Sequence, residues 1–391
     1  MGVFMLAFLL SGVLMCGGCG GGSGSGGTMP TQPSEPTETV AATPVIVTAA
    51  AQNGAVIVSL STTTPGATIF YSLDGTKPIA SSMIYKAPFL VASNVTVKAI
   101  AVAKGYTSSD VASQAFTPNI ASGTLVWSDE FTNVYMKAQG QPNPATWTYE
   151  TGLGSKCCGN NELETYCAWG SRTSPCDTSN PNAFVGMDGY LHVVGLNPSA
   201  NVYTSARLKS QGLFSFMYGR IEARMKLPES QGMWPAFWLL GNNIDGVGWP
   251  ACGELDVMEH IDGNNPPPSV GAAAPGYDWI AGSVHGGPNG KSELNGGQKY
   301  HPAGFSAADW HTYGMIWMKG QIQYYVDDPA NVYATFTPTN GEFNASTWPF
   351  DAGPQFVILN LAIGGGWPGN PDSTTVFPGN MLVDYVRIYT N

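Results

Sequence analysis

Charge is scarce in this chain. Asp, Glu, Lys and Arg make up 11% of its 391 residues, against roughly 25% in an average soluble domain. Helical periodicity is scarce too. Beyond the N-terminus no long stretch repeats apolar residues every 3.6 positions, which argues against a helical protein. No segment of 20–50 residues recurs, which argues against a solenoid or propeller. No His/Cys pair has the spacing of zinc ligands, so zinc is not expected. Basic excess is missing as well. Residues 1–120 hold four basic and four acidic side chains, whereas residues 121–391 hold 12 and 23, which places the whole net charge of −11 in the larger part. An acidic domain repels phosphate and sulfate polymers, so nucleic acid is a poor ligand and a neutral polysaccharide an acceptable one.

Glycine (49), proline (29) and the aromatic residues are plentiful. That profile predicts many strands and turns, with aromatic surfaces left for binding. The opening run MGVFMLAFLLSGVLM is too short to span a bilayer and reads as a secretory signal over residues 1–19, although it lacks the usual Lys or Arg. Gly17-Gly18-Cys19 resembles the end of a lipobox, so lipidation at Cys19 and plain secretion both stand, and the protein is expected outside the cell or on its outer surface. Any membrane contact would run through that anchor.

Export permits disulfides among Cys157, Cys158, Cys167, Cys176 and Cys252. Adjacent Cα atoms lie about 3.8 Å apart, below the usual disulfide range, so Cys157 and Cys158 are not expected to pair with each other. Two pairings then remain, both tying these two to Cys167 and Cys176, and Cys252 is left unpaired, on the cleft side of its strand. The alternative is that some of the five are free, buried thiols.

Residues 20–40 are Gly/Ser-rich and then Pro/Thr-rich, the composition of a tether. Residues 41–117 carry short alternating runs (AVIVSLS, ATIFYSL, NVTVKAIAVA) separated by turn signals such as Leu73-Asp74-Gly75-Thr76. They predict a small immunoglobulin-like sandwich. Residues 121–391 predict a second, larger all-β unit, a two-sheet jelly roll. In RIEARMKL, Arg220, Glu222, Arg224 and Lys226 alternate with Ile221, Ala223, Met225 and Leu227, as in a half-buried strand. QFVILNLAIGG and MLVDYVRIY are nearly continuous apolar runs, expected where both faces are covered.

The densest chemical signal lies in WPACGELDVMEH, where Glu254, Asp256 and Glu259 crowd an apolar strand. On a regular strand Glu254 and Asp256 share a face and Glu259 points away. A β-bulge around Val257-Met258 would return Glu259 to that face. Three like charges there are costly unless a proton is shared, so one carboxyl should titrate high and serve as an acid. Paired carboxyls about 5–5.5 Å apart are what a retaining glycosidase needs. A calcium site or an acidic surface strand is the alternative. Trp234, Trp238 and Trp249 flank the acids; each could stack on a sugar ring or pack in the core.

ELDVMEH resembles the E-x-D-x-x-E signature of glycoside hydrolase family 16, in the bulged branch that includes laminarinases, agarases and carrageenases. LVWSDEF, NNELETY, YTSARLKSQG, YGRIEARMKLP, MWPAFWLLG, SVHGGP, LNLAIGGGWPGNP and MLVDYVRIY extend the resemblance to bacterial laminarinases over nearly all of residues 124–390. It implies a retaining endo-β-1,3-glucanase, with mixed β-1,3-1,4-glucan as a second candidate substrate. Glu254 would be the nucleophile, Glu259 the acid/base and Asp256 the residue that tunes them. The resemblance also implies that Trp234, Trp238, Asn161, Glu162, Arg207 and His285 line the sugar subsites. It implies a structural Ca²⁺ at Asp384, helped by backbone oxygens near Glu130 and Gly189, with no cofactor in the chemistry. A monomer is expected. An agarase-type hydrolase or a transglycosylase is the rival enzyme, and a non-catalytic carbohydrate-binding protein the rival from another class. Residues 41–117 resemble the chitobiase/β-hexosaminidase C-terminal module, read as a spacer or a sugar binder.

Overall fold

The computed structural model describes residues 39–132, 139–261, 279–288, 294–339 and 342–391. The export signal, Cys19 and nearly all of the 20–40 tether lie outside the described residues. No helix among the described residues is long and apolar enough to cross a membrane.

The chain is nearly all β. In the larger part, two sheets face each other. One has seven strands among the described residues, in the order Thr148–Glu150, Arg207–Lys209, Gln355–Ile363, Met233–Gly241, Glu254–Glu259, Ile280–Gly286 and Leu294–Tyr300. The other is built around the long strand Gly379–Tyr389, with Leu191–Ser199 and Leu125–Asp129 along one edge and Gly219–Lys226 along the other. Leu208, Phe237, Leu239, Leu255, Val284 and Leu359 of the first sheet meet Val193, Ile221, Met225, Met315, Val383 and Ile388 of the second in one continuous core. This is the expected jelly-roll sandwich, closed by burial of alternate side chains on two facing sheets.

The alternation of RIEARMKL holds on its apolar side, where Ile221, Ala223 and Met225 are fully buried. On the other side Glu222 is also buried, because Arg220 pairs with it and the Tyr325 hydroxyl donates to its Oε2 at 2.5 Å. Every residue of Gln355–Ile363 is buried, as its apolar run suggests. Gly379–Tyr389 departs from that expectation. It buries Met381, Val383, Val386 and Ile388 and leaves Asp384, Tyr385 and Arg387 half-exposed, so only one of its faces is covered.

The cysteine arithmetic is corrected by the structure. Cys157 pairs with Cys158, and Cys167 with Cys176. The usual Cα range describes cysteines brought together from separate stretches of backbone. Neighbours can instead close a small ring through their shared peptide, here at the end of the short helix Gly154–Cys157. Cys252 is free, as expected, and it is buried.

Residues 45–116 form two smaller sheets, of three and four strands, with Val58, Leu60, Tyr71, Phe89, Val97 and Ala99 between them. This sandwich is bound to the larger one. The Leu90 N–H donates to Ser215 O at 2.9 Å, and Ser215 Oγ donates to Pro88 O at 3.0 Å. Leu90 and Ala55 join the large core itself.

Candidate active site

The strand Glu254–Glu259 explains how three acids reach one surface. Its register against Met233–Gly241 pairs Asp256 with Trp238 and Met258 with Phe237, so Val257 has no partner. The same irregularity falls between Asp256 and Glu259 against the strand on the other side. The expected bulge is therefore present. Leu255, Val257 and Met258 all enter the core, each worth about 1.5–3 kcal/mol on burial. A ladder hydrogen bond lost at a bulge costs only about 1 kcal/mol. Burying two consecutive apolar residues thus outweighs the broken ladder, and the three acids are turned to the opposite face. The turn before the strand needs Gly253, whose φ of +79° suits glycine; a Cβ there would meet the Phe350 ring at 3.1 Å.

Each glutamate has an indole partner. Trp249 Nε1 donates to Glu254 Oε2 at 2.6 Å, and Trp234 Nε1 donates to Glu259 Oε1 at 3.0 Å. Asp256 is buried, with His285 Nε2 3.1 Å from its Oδ2. Burial, and then the charge of Asp256, push Glu259 up to about 8, while the Trp234 N–H pulls the other way. Glu254 is raised well above the carboxylate range by the same two causes, opposed by His285 and Trp249. The cluster therefore holds protons at neutral pH, and its titration belongs to the group as a whole. Glu254, Asp256 and His285 also bring ligand atoms within 4.8 Å of one another. The short indole bond already occupies one oxygen of Glu254.

Beside the acids lies a second layer. Trp238 Nε1 donates to Asn360 Oδ1 at 2.7 Å, and the Arg207 guanidinium lies 4.5 Å from the centre of the Trp238 ring. Asn360 Nδ2 reaches the Tyr166 hydroxyl at 3.3 Å, and that hydroxyl donates to Glu162 Oε2 at 2.9 Å. Glu162 is buried with its carboxylate turned inward onto Tyr166, so it does not itself face the cleft. Asn161 is exposed with φ 59°. It adjoins Asn160, whose carbonyl accepts from Gly366 N at 2.8 Å.

The neighbouring residue Trp367 was not singled out by sequence. It packs edge-on against Trp234 (5.3 Å between centroids) and Trp279 (5.8 Å), forming an aromatic wall next to Glu259. Trp367 sits in the GGGWPGNP stretch; only the density of tryptophans hinted at it. Cys252 packs with Trp238 and Leu240 on the cleft side of the sheet. Burial, then the charge of Glu254, push its thiol up to about 12, which makes it a poor nucleophile.

The residues expected to hold calcium converge. Leu125–Asp129 and Leu191–Ser199 adjoin Gly379–Tyr389 on either side of Asp384, which brings Glu130 and Gly189 near it. Asp384 Oδ2, however, accepts from Arg224 at 2.7 Å, and both oxygens of Glu130 are held by Arg387. Calcium takes 6–8 oxygens, carboxylates foremost. Arg224 thus takes one oxygen of Asp384, and Arg387 takes the Glu130 side chain but not the backbone oxygens expected to join a cation there.

Comparison with known proteins agrees with this site. The pattern of glycosyl hydrolases family 16 matches residues 172–387, and that of the chitobiase/beta-hexosaminidase C-terminal domain matches residues 47–113. The chain is 35% identical over 274 residues to a beta-glucanase from Rhodothermus marinus, covering 68% of this chain and 84% of that protein. It is 33% identical over 267 residues to the clotting factor G alpha subunit of Tachypleus tridentatus, of which it spans 34%. In structure it is similar to the laminarinase catalytic domain from Thermotoga maritima MSB8, with a TM-score of 0.55 and 35% identity, covering 69% of this chain and 99% of that one. With the bulged E-x-D-x-x-E strand in place and matches of this extent, the chain belongs to glycosyl hydrolases family 16.

Proposed function

We propose that this protein is a retaining endo-β-1,3-glucanase that cuts laminarin-type glucan, acting outside the cell or on its outer surface. The observation that carries the reading is the bulge at Val257, which turns Glu254, Asp256 and Glu259 to one face. Similarity to a laminarinase and a beta-glucanase supports the choice of substrate. A purely sugar-binding role is disfavoured, because all three acids are present and two of them carry dedicated indole donors.

In the first step the Glu259 carboxyl donates its proton to the glycosidic oxygen while Glu254 attacks the anomeric carbon. The C–O bond to the leaving sugar breaks, and a glycosyl ester forms on Glu254. In the second step the Glu259 carboxylate takes a proton from water, the hydroxyl attacks the same carbon, and Glu254 departs as a carboxylate. The raised titration of Glu259 keeps its proton available at neutral pH. Glu254 must be ionised to attack; burial and the charge of Asp256 oppose that state, and His285 and the Trp249 N–H offset part of the opposition. Trp234 and Trp367, both half-buried, offer ring surface to sugars. Arg207, half-buried beside the Trp238 ring, offers guanidinium N–H donors to a hydroxyl.

Product analysis of purified protein on laminarin, lichenan and agarose tests the reading. Short β-1,3-oligosaccharides from laminarin are expected. Cleavage of agarose alone would overturn it.

A further inference from the structure

Between the small and large sandwiches lies a cavity of about 1120 Å³, whose lining includes none of the catalytic acids. We propose that it is a second binding site for a neutral oligosaccharide, a stretch of the same glucan that the cleft cuts; it therefore rests on the function proposed above.

Ligand sites favour domain interfaces and typically occupy about 300–1,000 Å³; this cavity has such a place and is slightly larger, with room for a short sugar chain. The walls are held in position: Leu90 and Ser215 bond across the junction, and Asn53 Nδ2 donates to Leu125 O at 2.8 Å. The lining mixes hydroxyl and amide groups (Ser82, Ser93, Asn94, Asn119) with apolar surface and the half-buried ring of Tyr218. That mixture matches a sugar's polar rim and apolar faces.

Tyr218 is the decisive residue. Its φ is +63°, a conformation that bulky side chains seldom adopt and that clusters at ligand clamps. It is held there by its hydroxyl, which donates to Asp351 Oδ1 at 3.1 Å, and by edge contact with Trp317 at 5.3 Å. Asp351 in turn accepts from the Gly320 N–H at 2.9 Å.

Charge selects the ligand class. Lys319 is the sole Lys or Arg among the described lining residues, beside the carboxylates of Asp74 and Asp351. An anionic polymer would find no cationic cluster to bind.

The test is calorimetric titration of the full chain carrying Glu254→Gln with laminarihexaose. Two binding events per chain are expected. Adding Tyr218→Gly, which suits the left-handed backbone, should weaken the second event about threefold to tenfold. Adding Ser93→Trp, an exposed position at the lining, should block it, and both should leave the cleft event in place. In the otherwise unsubstituted enzyme, either change should leave hydrolysis of soluble laminarin unaltered and slow release from an insoluble β-1,3-glucan. A single event in the parent, or two undiminished events in both variants, would overturn the proposal. Laminarin hydrolysis by the unsubstituted chain reports on the cleft separately, so a one-site result with hydrolysis intact sinks the cavity site alone.

Discussion

The described residues include two clusters of neighbouring acids, and they differ in what surrounds them. Glu254, Asp256 and Glu259 lie on a bulged strand, with both glutamates half-exposed. Glu162 and Glu164 lie a short way off, almost wholly buried. Burial raises Glu164 to about 8, helped by the charge of Glu162, much as burial and Asp256 raise Glu259 to about 8. A raised carboxyl therefore does not by itself mark the chemistry. What separates the pairs is access. Glu164 accepts the backbone N–H of Ile363 at 2.6 Å and Glu162 the hydroxyl of Tyr166; both are spent inside the protein. The glutamates of the first cluster are held by indoles at the edge of an open face, where a substrate can arrive.

The largest effect should come from removing the accessible acids. Glu254→Gln and Glu259→Gln are each expected to lower kcat on laminarin by at least about 10²–10⁴-fold, with the far-UV circular dichroism unchanged. Glu164→Gln should lower it less than about tenfold; a loss equal to that of Glu259→Gln would erase the distinction between the clusters.

The second prediction concerns the stability that Glu164 governs. Its folded-state titration lies above that of an unfolded glutamate, near 4.3, so the folded state holds the extra proton between about pH 4 and 8. Its contribution is fully present below about pH 4 and is lost as pH rises through 8. Glu164→Gln should therefore gain in Tm relative to the parent as pH rises from 5 to 8. Thermal scans across that range check it; a parallel pair of curves would contradict the sealed-acid account.

A smaller effect is expected at the indole. In the proposed mechanism the acid step needs a proton on the cluster, whose titration is shared; with Glu259 raised to about 8, kcat/KM should fall as pH rises through that region. The Trp234 N–H favours the carboxylate, so Trp234→Phe should move that alkaline limb upward by about one unit. A pH–rate profile reads it directly.

The smallest effect on turnover should follow removal of residues 1–120. Soluble laminarin should be cut at a rate within about twofold, since the acids, their indoles and the sheet behind them lie outside that segment. Stability should drop, because Leu90 and Ala55 contribute to the large core. Activity assays beside a thermal melt separate the two.

Much of this was legible in the chain. The spacing of Glu254, Asp256 and Glu259 demanded a bulge if all three were to share a face, and the apolar Val257-Met258 pair gave a reason for one. Other features depend on distant contacts. Trp367 meets Trp234 and Trp279 only once three separate segments are folded together. Glu162 reads as polar and available until Tyr166 and Asn360 close over it. The Cys157–Cys158 link escaped a distance rule drawn from cysteines that are not neighbours. The docking of residues 41–117 was hidden because Leu90 looks like any core residue of a small sandwich.

In the proposed mechanism the bulge brings Glu254 and Glu259 close enough for a covalent glycosyl intermediate. Proton NMR of the first products released from laminarin tests it most directly. The β-anomer is expected first, mutarotating later to the equilibrium mixture. An α-anomer at the outset would mean direct displacement by water, and would contradict it.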